Sequence, residues 1–249
     1  LPEGYKFLHR TLPDVEIYWV NKPACDYQTV TLSFRVSGLK PMLWHPDSGV
    51  QEEVTYTQND GRTEVTLNLV PDDAVFVVFA GKAADSFTVS AAQQKGEQVL
   101  DGTWSVAFQE KRGAPATAEF PALGSYTDSA DEGIRYFSGI ADYTKTFEAE
   151  AAEKTVLDLG RVADLAEIYV NGEYCGAAWK EPYQVDITKA VRAGQNVLLV
   201  RVANVWVNRL IGDEQPGATR VGWTDARGFD GSEPLQPAGL LGPVKVVNY

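Results

Sequence analysis

Residues 166–188 read AEIYVNGEYCGAAWKEPYQVDIT, and this stretch decides the fold. Ala166, Ile168 and Val170 are apolar on alternate positions, with Glu167 and Tyr169 between them. A period of two is the pattern of a half-buried strand. Asn171 and Gly172 follow at once, the strongest two-residue hairpin signal, because a type I′ turn needs positive φ at both central positions. The chain then returns through Tyr174 to Trp179. Pro182 has no N–H to donate to a ladder and marks an edge or a bend.

The same alternation recurs outward from this hairpin. Val30, Leu32, Phe34 and Val36 alternate with Thr29, Thr31, Ser33 and Arg35. Val54 and Tyr56 lead to a turn at Asn59-Asp60-Gly61, and Val65, Leu67 and Leu69 alternate with Glu64, Thr66 and Asn68. Ala74 to Ala80 (AVFVVFA) is a continuous apolar run, expected as a central strand buried on both faces. Further strands are expected over Val99–Phe108 (with Trp104), Ile134–Phe147 (one or two strands), Thr155–Leu159, Asn196–Val207 and Val244–Val247. Lys111–Gly133 and Ile211–Gly242 read as long loops. The pattern predicts an all-β protein of two β-sandwich domains, residues 1–92 and 93–249, with Ala91–Glu97 as the boundary.

Composition narrows the partners. The chain has 249 residues, formal net charge −12 and 44% hydrophobic residues, which fits a packed globular protein. It has no basic cluster, so no nucleic-acid partner is expected. The longest apolar runs are strand-length, so no membrane span is expected. The N-terminus LPEGYKFLHR lacks a signal-peptide core and an initiator Met, as expected of a mature form or an excised piece. Cys25 and Cys175 form no CxxC pair; they read as free thiols or as one long-range disulfide.

Catalytic chemistry is sparse. Two histidines, His9 and His45, are too few for most histidine-based metal sites. His9 reads as a surface or packing residue, and His45 as the flank of a Pro-Asp-Ser-Gly turn. No HExxH, GxSxG, P-loop or GxGxxG occurs. Among 34 carboxylates, sequence alone selects no facing pair for glycoside hydrolysis. No cofactor is expected. The acidic loop Asp225–Gly231 (DARGFDG) is the candidate for structural calcium, although it lacks EF-hand spacing.

Aromatic residues carry more information. Trp179, Tyr183, Trp206, Trp223 and Phe229 fall in or beside loops of the second unit. Trp179 and Trp206 read either as core residues at strand ends or as flat platforms for a sugar ring. In the second reading Asn208, Arg209 and Asp213 supply hydrogen bonds beside the platform.

Residues Tyr136–Val202 (YFSGIADYTKTF, TVLDLGRVADLAEIYVNGEYCG, PYQVDITKAVRAGQNVLLVRVAN) resemble the galactose-binding-like jelly-roll domain of β-galactosidase-like and β-glucuronidase-like hydrolases. Residues His9–Phe79 (HRTLPDVEIYWVN, FRVSGLKPMLWHPDSG, FVVF) resemble the β-sandwich that follows the catalytic barrel in α-L-rhamnosidases of glycoside hydrolase family 106. Asn204–Glu214 (NVWVNRLIGDE) resembles the end of those enzymes. The resemblance implies carbohydrate and a parent's catalytic barrel as partners, and a periplasmic or extracellular location. It also places the family's catalytic carboxylates upstream, in a barrel this chain lacks, so no catalytic residue is carried over. The expected role is a non-catalytic C-terminal accessory portion of a rhamnosidase-like enzyme. An autonomous carbohydrate-binding module and a small self-sufficient glycosidase are the alternatives. Docking to a barrel predicts an exposed apolar patch.

Overall fold

The computed structural model describes residues 3–23, 26–225 and 228–249. Cys25, Ala226 and Arg227 lie outside the described residues, so one cysteine and the middle of the DARGFDG loop are not described. By their contacts the residues divide into two compact units, Leu1–Ala92 and Gln93–Tyr249.

Unit one is a sandwich of nine strands: β1 (Lys6–Leu12), β2 (Val15–Asn21), β3 (Gln28–Phe34), β4 (Leu39–Trp44), β5 (Gln51–Glu53), β6 (Thr55–Asn59), β7 (Arg62–Leu69), β8 (Ala74–Lys82) and β9 (Ser86–Phe87). One antiparallel sheet runs β1-β2-β8-β4-β5 and the other β3-β7-β6-β9. Asp60 and Gly61, both at positive φ, close the β6–β7 hairpin with Asn59 opposite Arg62. Tyr18, Val20, Leu32, Phe34, Val65, Leu67, Val75, Val77 and Phe79 form the core between the sheets. The apolar run of β8 is central in its sheet, but only its Val75, Val77 and Phe79 face joins that core.

Unit two comprises β10 (Gly96–Val99), β11 (Trp104–Phe108), β12 (Thr117–Phe120), a 3-10 turn (Tyr126–Asp128), α1 (Glu132–Arg135), β13 (Ile140–Ala149), β14 (Thr155–Asp158), β15 (Arg161–Ala163), β16 (Leu165–Val170), β17 (Glu173–Ala178), β18 (Gln184–Asp186), β19 (Gly194–Ala203), α2 (Val207–Asp213), β20 (Gly239–Gly242) and β21 (Lys245–Asn248). A six-stranded sheet, β12-β11-β13-β19-β16-β17, and a four-stranded sheet, β10-β21-β14-β18, share one core, and β15 pairs with β20. The fold is all-β, and its second unit is a jelly-roll-type sandwich.

The opening hairpin forms as the alternation dictates. Ala166, Ile168 and Val170 are fully buried, and Val170 stands opposite Glu173 across a turn with φ of 53° at Asn171 and 83° at Gly172. Asn171 does more than turn the chain. Its Nδ2 donates to the Ala190 carbonyl (2.9 Å) and to Asn196 Oδ1 (2.8 Å), and its Oδ1 accepts from the Val197 N–H (3.0 Å). A register shift after Ile168 leaves Cys175 in a bulge as a free thiol.

Several boundaries differ from the periodic reading. Of the predicted Val99–Phe108 strand, Trp104–Phe108 forms β11, while Val99 is the last residue of β10, which belongs to a different sheet. The Lys111–Gly133 loop contains β12 and the 3-10 turn. Ile134 and Arg135 lie in α1, capped by the Asp131 carboxylate, which accepts from Gly133 and Ile134 N–H. The Asn196–Val207 strand stops at Ala203, where the Asn204 side chain bonds Gly139 N–H (2.9 Å) and the Phe137 carbonyl (3.0 Å) instead of extending the ladder. The Ile211–Gly242 segment holds the end of α2 and also β20.

Candidate functional site

Strand register determines which loops meet. Ile140 opposes Ala203, Ala203 opposes Leu165, and Ala166 opposes Ala178. Phe108 opposes Ala141. The segments that follow β11, β17 and β19, and those that precede β13 and β16, therefore leave the six-stranded sheet at the same end. The Asn171-Gly172 turn is at the opposite end. Trp179 follows the hairpin in sequence but stands a strand length away from its turn.

This rim is held by backbone and side-chain bonds. Asp164 N–H donates to the Ala203 carbonyl (3.1 Å), and its carboxylate accepts from Val205 N–H (2.9 Å). Gln109 Oε1 accepts from Ile140 N–H (3.2 Å), and Arg209 N–H donates to Ser138 Oγ (3.2 Å). Asn208 bonds both the carbonyl (2.6 Å) and the N–H (2.8 Å) of Gln236.

The polar and aromatic candidates separate sharply. Asn208, Arg209 and Asp213 are all buried on α2. Arg209 and Asp213 lie 3.0 Å apart (Nε to Oδ1) with the N–H pointed off the line, so charge rather than an aligned hydrogen bond holds the pair. Asp213 also accepts from Val221 N–H (3.0 Å) and Gly222 N–H (2.7 Å). These three side chains are committed inside the protein. They build the scaffold of the rim, in place of the outward hydrogen bonding to a sugar read from sequence. A buried carboxylate or guanidinium must be paired in this way because its desolvation is costly.

The indoles are the reverse. Trp179 is 55% exposed, Trp206 40% and Trp223 90%, so the core-residue reading of Trp179 and Trp206 does not describe them. The Arg112 guanidinium lies over the Trp206 ring, 4.6 Å from its centroid. An ideal Cβ on Gly222 would stand 3.7 Å from the Trp206 ring, so the loop that carries Trp223 passes beside Trp206. Trp179 lies two strands over from the β19 end, roughly 10 Å away at the usual interstrand spacing. Tyr183 is half-buried against the unit core, and burial pushes its phenol upward in pKa. Phe229 is partly exposed. Arg112 and Asn204 were not singled out from sequence; Arg112 sits in a Gly/Ala/Pro-rich segment with no periodic signal.

The rim therefore presents flat apolar rings, one of them under the Arg112 guanidinium, over a buried polar support. Such a surface can hold a ring-shaped polar ligand by stacking. Among the described residues no group of three or more His, Cys, Asp or Glu could hold a metal ion. Asp230 accepts from the Ser232 N–H (2.8 Å) and hydroxyl (2.5 Å), which lowers its pKa and closes a local turn. Among the described residues no helix is long and apolar enough to cross a membrane.

Comparison with known proteins agrees with this architecture. Residues 2–58 match the glycoside hydrolase family 106 description, alpha-L-rhamnosidase. Residues 126–231 match the glycosyl hydrolase 2 galactose-binding domain-like family. A rhamnosidase from Novosphingobium sp. PP1Y superimposes with a TM-score of 0.94 at 46% identity, over 99% of this chain and 24% of its own. A protein of Formosa agariphila, provisionally named beta-glucuronidase, is 31% identical over 90% of this chain and 22% of its own length. The chain thus spans about a quarter of the length of these relatives and is built of glycosidase-related domains.

Proposed function

We propose that this chain is a non-catalytic accessory portion, C-terminal to the catalytic domain, of an α-L-rhamnosidase-like glycoside hydrolase. In this reading its second unit holds rhamnose-containing carbohydrate weakly at the indole rim. The observation that carries it is the 46% identity along nearly the whole chain to only 24% of a rhamnosidase. The rim supports the sugar-holding half: Trp179, Trp206 and Trp223 are displayed, while Asn208, Arg209 and Asp213 lock their support.

The catalytic domain of the parent is then the principal partner. Weak binding is appropriate, since a millimolar site is worth only about 4 kcal/mol and gains from attachment to an enzyme on the same substrate. NMR titration of the isolated chain with rhamnose- and galactose-containing oligosaccharides tests the sugar-holding role. Shifts of the indole N–H signals of Trp179, Trp206 or Trp223 are expected, and their absence at millimolar sugar removes that role. Incubation with aryl α-L-rhamnosides tests the non-catalytic role; release of the aryl alcohol by the chain alone would sink it.

The exposed rim also favours a second reading, an autonomous carbohydrate-binding module. That reading predicts tighter binding by the isolated chain and no dependence on a catalytic domain.

A further inference from the structure

The two outer faces of unit one are chemically opposite. The outer face of the β3-β7-β6-β9 sheet carries Thr29 bonded to Asn68 (2.8 Å) and Thr31 bonded to Thr66 (3.1 Å), a solvated polar ladder. The outer face of the β1-β2-β8-β4-β5 sheet is apolar across β1, β2, β8 and β4 and turns polar at its β5 edge, where Gln51 opposes Trp44 and Glu53, paired with Lys40, opposes Met42. Leu8 opposes Trp19, Trp19 opposes Phe76, and Phe76 opposes Trp44, so these four form one row across four strands. Ile17, Val78 and Met42 form the next row, and Arg10 stands at its end on β1. Leu8 is 68% exposed, and Leu8, Arg10, Ile17, Trp19 and Phe76 line a shallow groove. No carboxylate among the described residues is paired with Arg10.

We infer, on the accessory reading of the chain, that this face docks the part of an α-L-rhamnosidase-like chain lying outside these 249 residues, through an apolar surface with a carboxylate opposite Arg10. Three observations commit the face to that occupant. Residues 2–58, which match the rhamnosidase family, supply four of its five strands: β1, β2, β4 and β5. The relative that is 46% identical over 99% of this chain has most of its own length elsewhere, so covering surface exists in the same polypeptide. The AVFVVFA run of β8 has the composition of a strand covered on both sides, yet only its Val75, Val77 and Phe79 face joins the core of unit one; on the other face Val78 is buried and Phe76 stays partly exposed. Four strands about 4.8 Å apart make an apolar face of roughly 300 Å² per partner, at the lower end of an interdomain contact of about 600–1,500 Å² in total.

Hydroxyl-radical footprinting reads this directly. The isolated 249-residue chain is compared with a chimera in which it replaces its counterpart in the Novosphingobium rhamnosidase. Leu8, Trp19 and Trp44 should be oxidised readily in the isolated chain and be protected several-fold in the chimera. Equal oxidation in both overturns the docking face. So does protection already present in the isolated chain, whether lost on dilution (a second copy) or kept (a cover from within the chain). The native Novosphingobium enzyme gives the same reading without a chimera: its side chains aligned with Leu8 and Trp44 should be protected, and reactive ones overturn the inference. A chimera that cleaves aryl rhamnosides while the face stays reactive removes the docking face and leaves the accessory role standing. An isolated chain that cleaves them removes the accessory role itself.

Discussion

Arg209 and Asp213, one turn apart on α2, form a buried ion pair at 3.0 Å, and the same carboxylate takes the N–H groups of Val221 and Gly222. One side chain thereby joins the helix to the loop that displays Trp223. Asp213→Asn leaves the Arg209 charge buried without a counterion, and breaking such a pair costs about 3–5 kcal/mol. Thermal or urea unfolding should show that loss. Amide exchange at Val221 and Gly222 should accelerate together with it. A variant as stable as the parent would mean the pair is not what anchors this loop.

The hairpin separates two roles of one asparagine. Asn171→Gly keeps a residue that accepts positive φ but removes the bonds to Ala190, Asn196 and Val197. At about 0.5–1.5 kcal/mol net for each bond, a loss of about 2 kcal/mol is expected in chemical denaturation. Gly172→Ala keeps those bonds and meets no neighbour, yet it places a Cβ at a φ of 83°. Its cost should be about 1–2 kcal/mol, the penalty for left-handed backbone.

His45 should make stability depend on pH. Its Nε2 lies 3.0 Å from Glu52 Oε1, and that hydrogen bond, against the opposing effect of burial, raises its pKa above the ordinary 6.5. A raised folded-state pKa stabilises fully below the unfolded value. The gain is lost as pH rises from about 6.5 through the higher folded value. For a pair open to water the effect is about 0.5 kcal/mol. Melting curves across this window should fall for the parent and flatten for His45→Gln; identical slopes would dismiss His45 as the source.

Tyr143 couples the core to β20. Its hydroxyl accepts from Leu240 N–H at 3.1 Å, and burial pushes its pKa up to about 12. Tyr143→Phe leaves that N–H buried and unpaired, at a cost of about 1–3 kcal/mol. In the parent, stability attributable to this group is present below pH 10 and lost between 10 and about 12. Alkaline unfolding of parent and Tyr143→Phe, compared over that range, checks both statements.

At the rim, single replacements of Trp179, Trp206 and Trp223 by Ala should weaken sugar binding without unfolding the unit, because all three are exposed. A stacked ring is worth about 1 kcal/mol, so the dissociation constant should rise several-fold for each ring in contact. Arg112→Ala should act through Trp206, since the two groups stack. Unchanged titrations for all four variants would place the sugar elsewhere.

The sequence by itself determined the strands with clear alternation or a continuous apolar run, the two hairpin turns and the all-β class, while strands such as β1, β2, β4, β12 and β20 carry no such pattern. Those features are local: period-two burial shows in Ala166, Ile168 and Val170, and positive φ shows in Asn-Gly and Asp-Gly. Its resemblance to a rhamnosidase family and to galactose-binding-like domains was equally legible, because it lies in contiguous motifs. Tertiary structure alone decided the rest. Asn208 and Asp213 look like ligand-binding groups in a linear reading, yet packing turns them inward, and only the neighbouring elements determine whether a polar side chain meets water. Arg112 and Trp206 are over ninety positions apart and meet because β11, β13 and β19 pair in register. The apolar outer face of unit one is likewise a property of rows across strands; along a single strand only the AVFVVFA run of β8 hints at it. Contacts between distant segments carry no signature in either segment, so the chemistry of the rim and of the docking face had to wait for the fold.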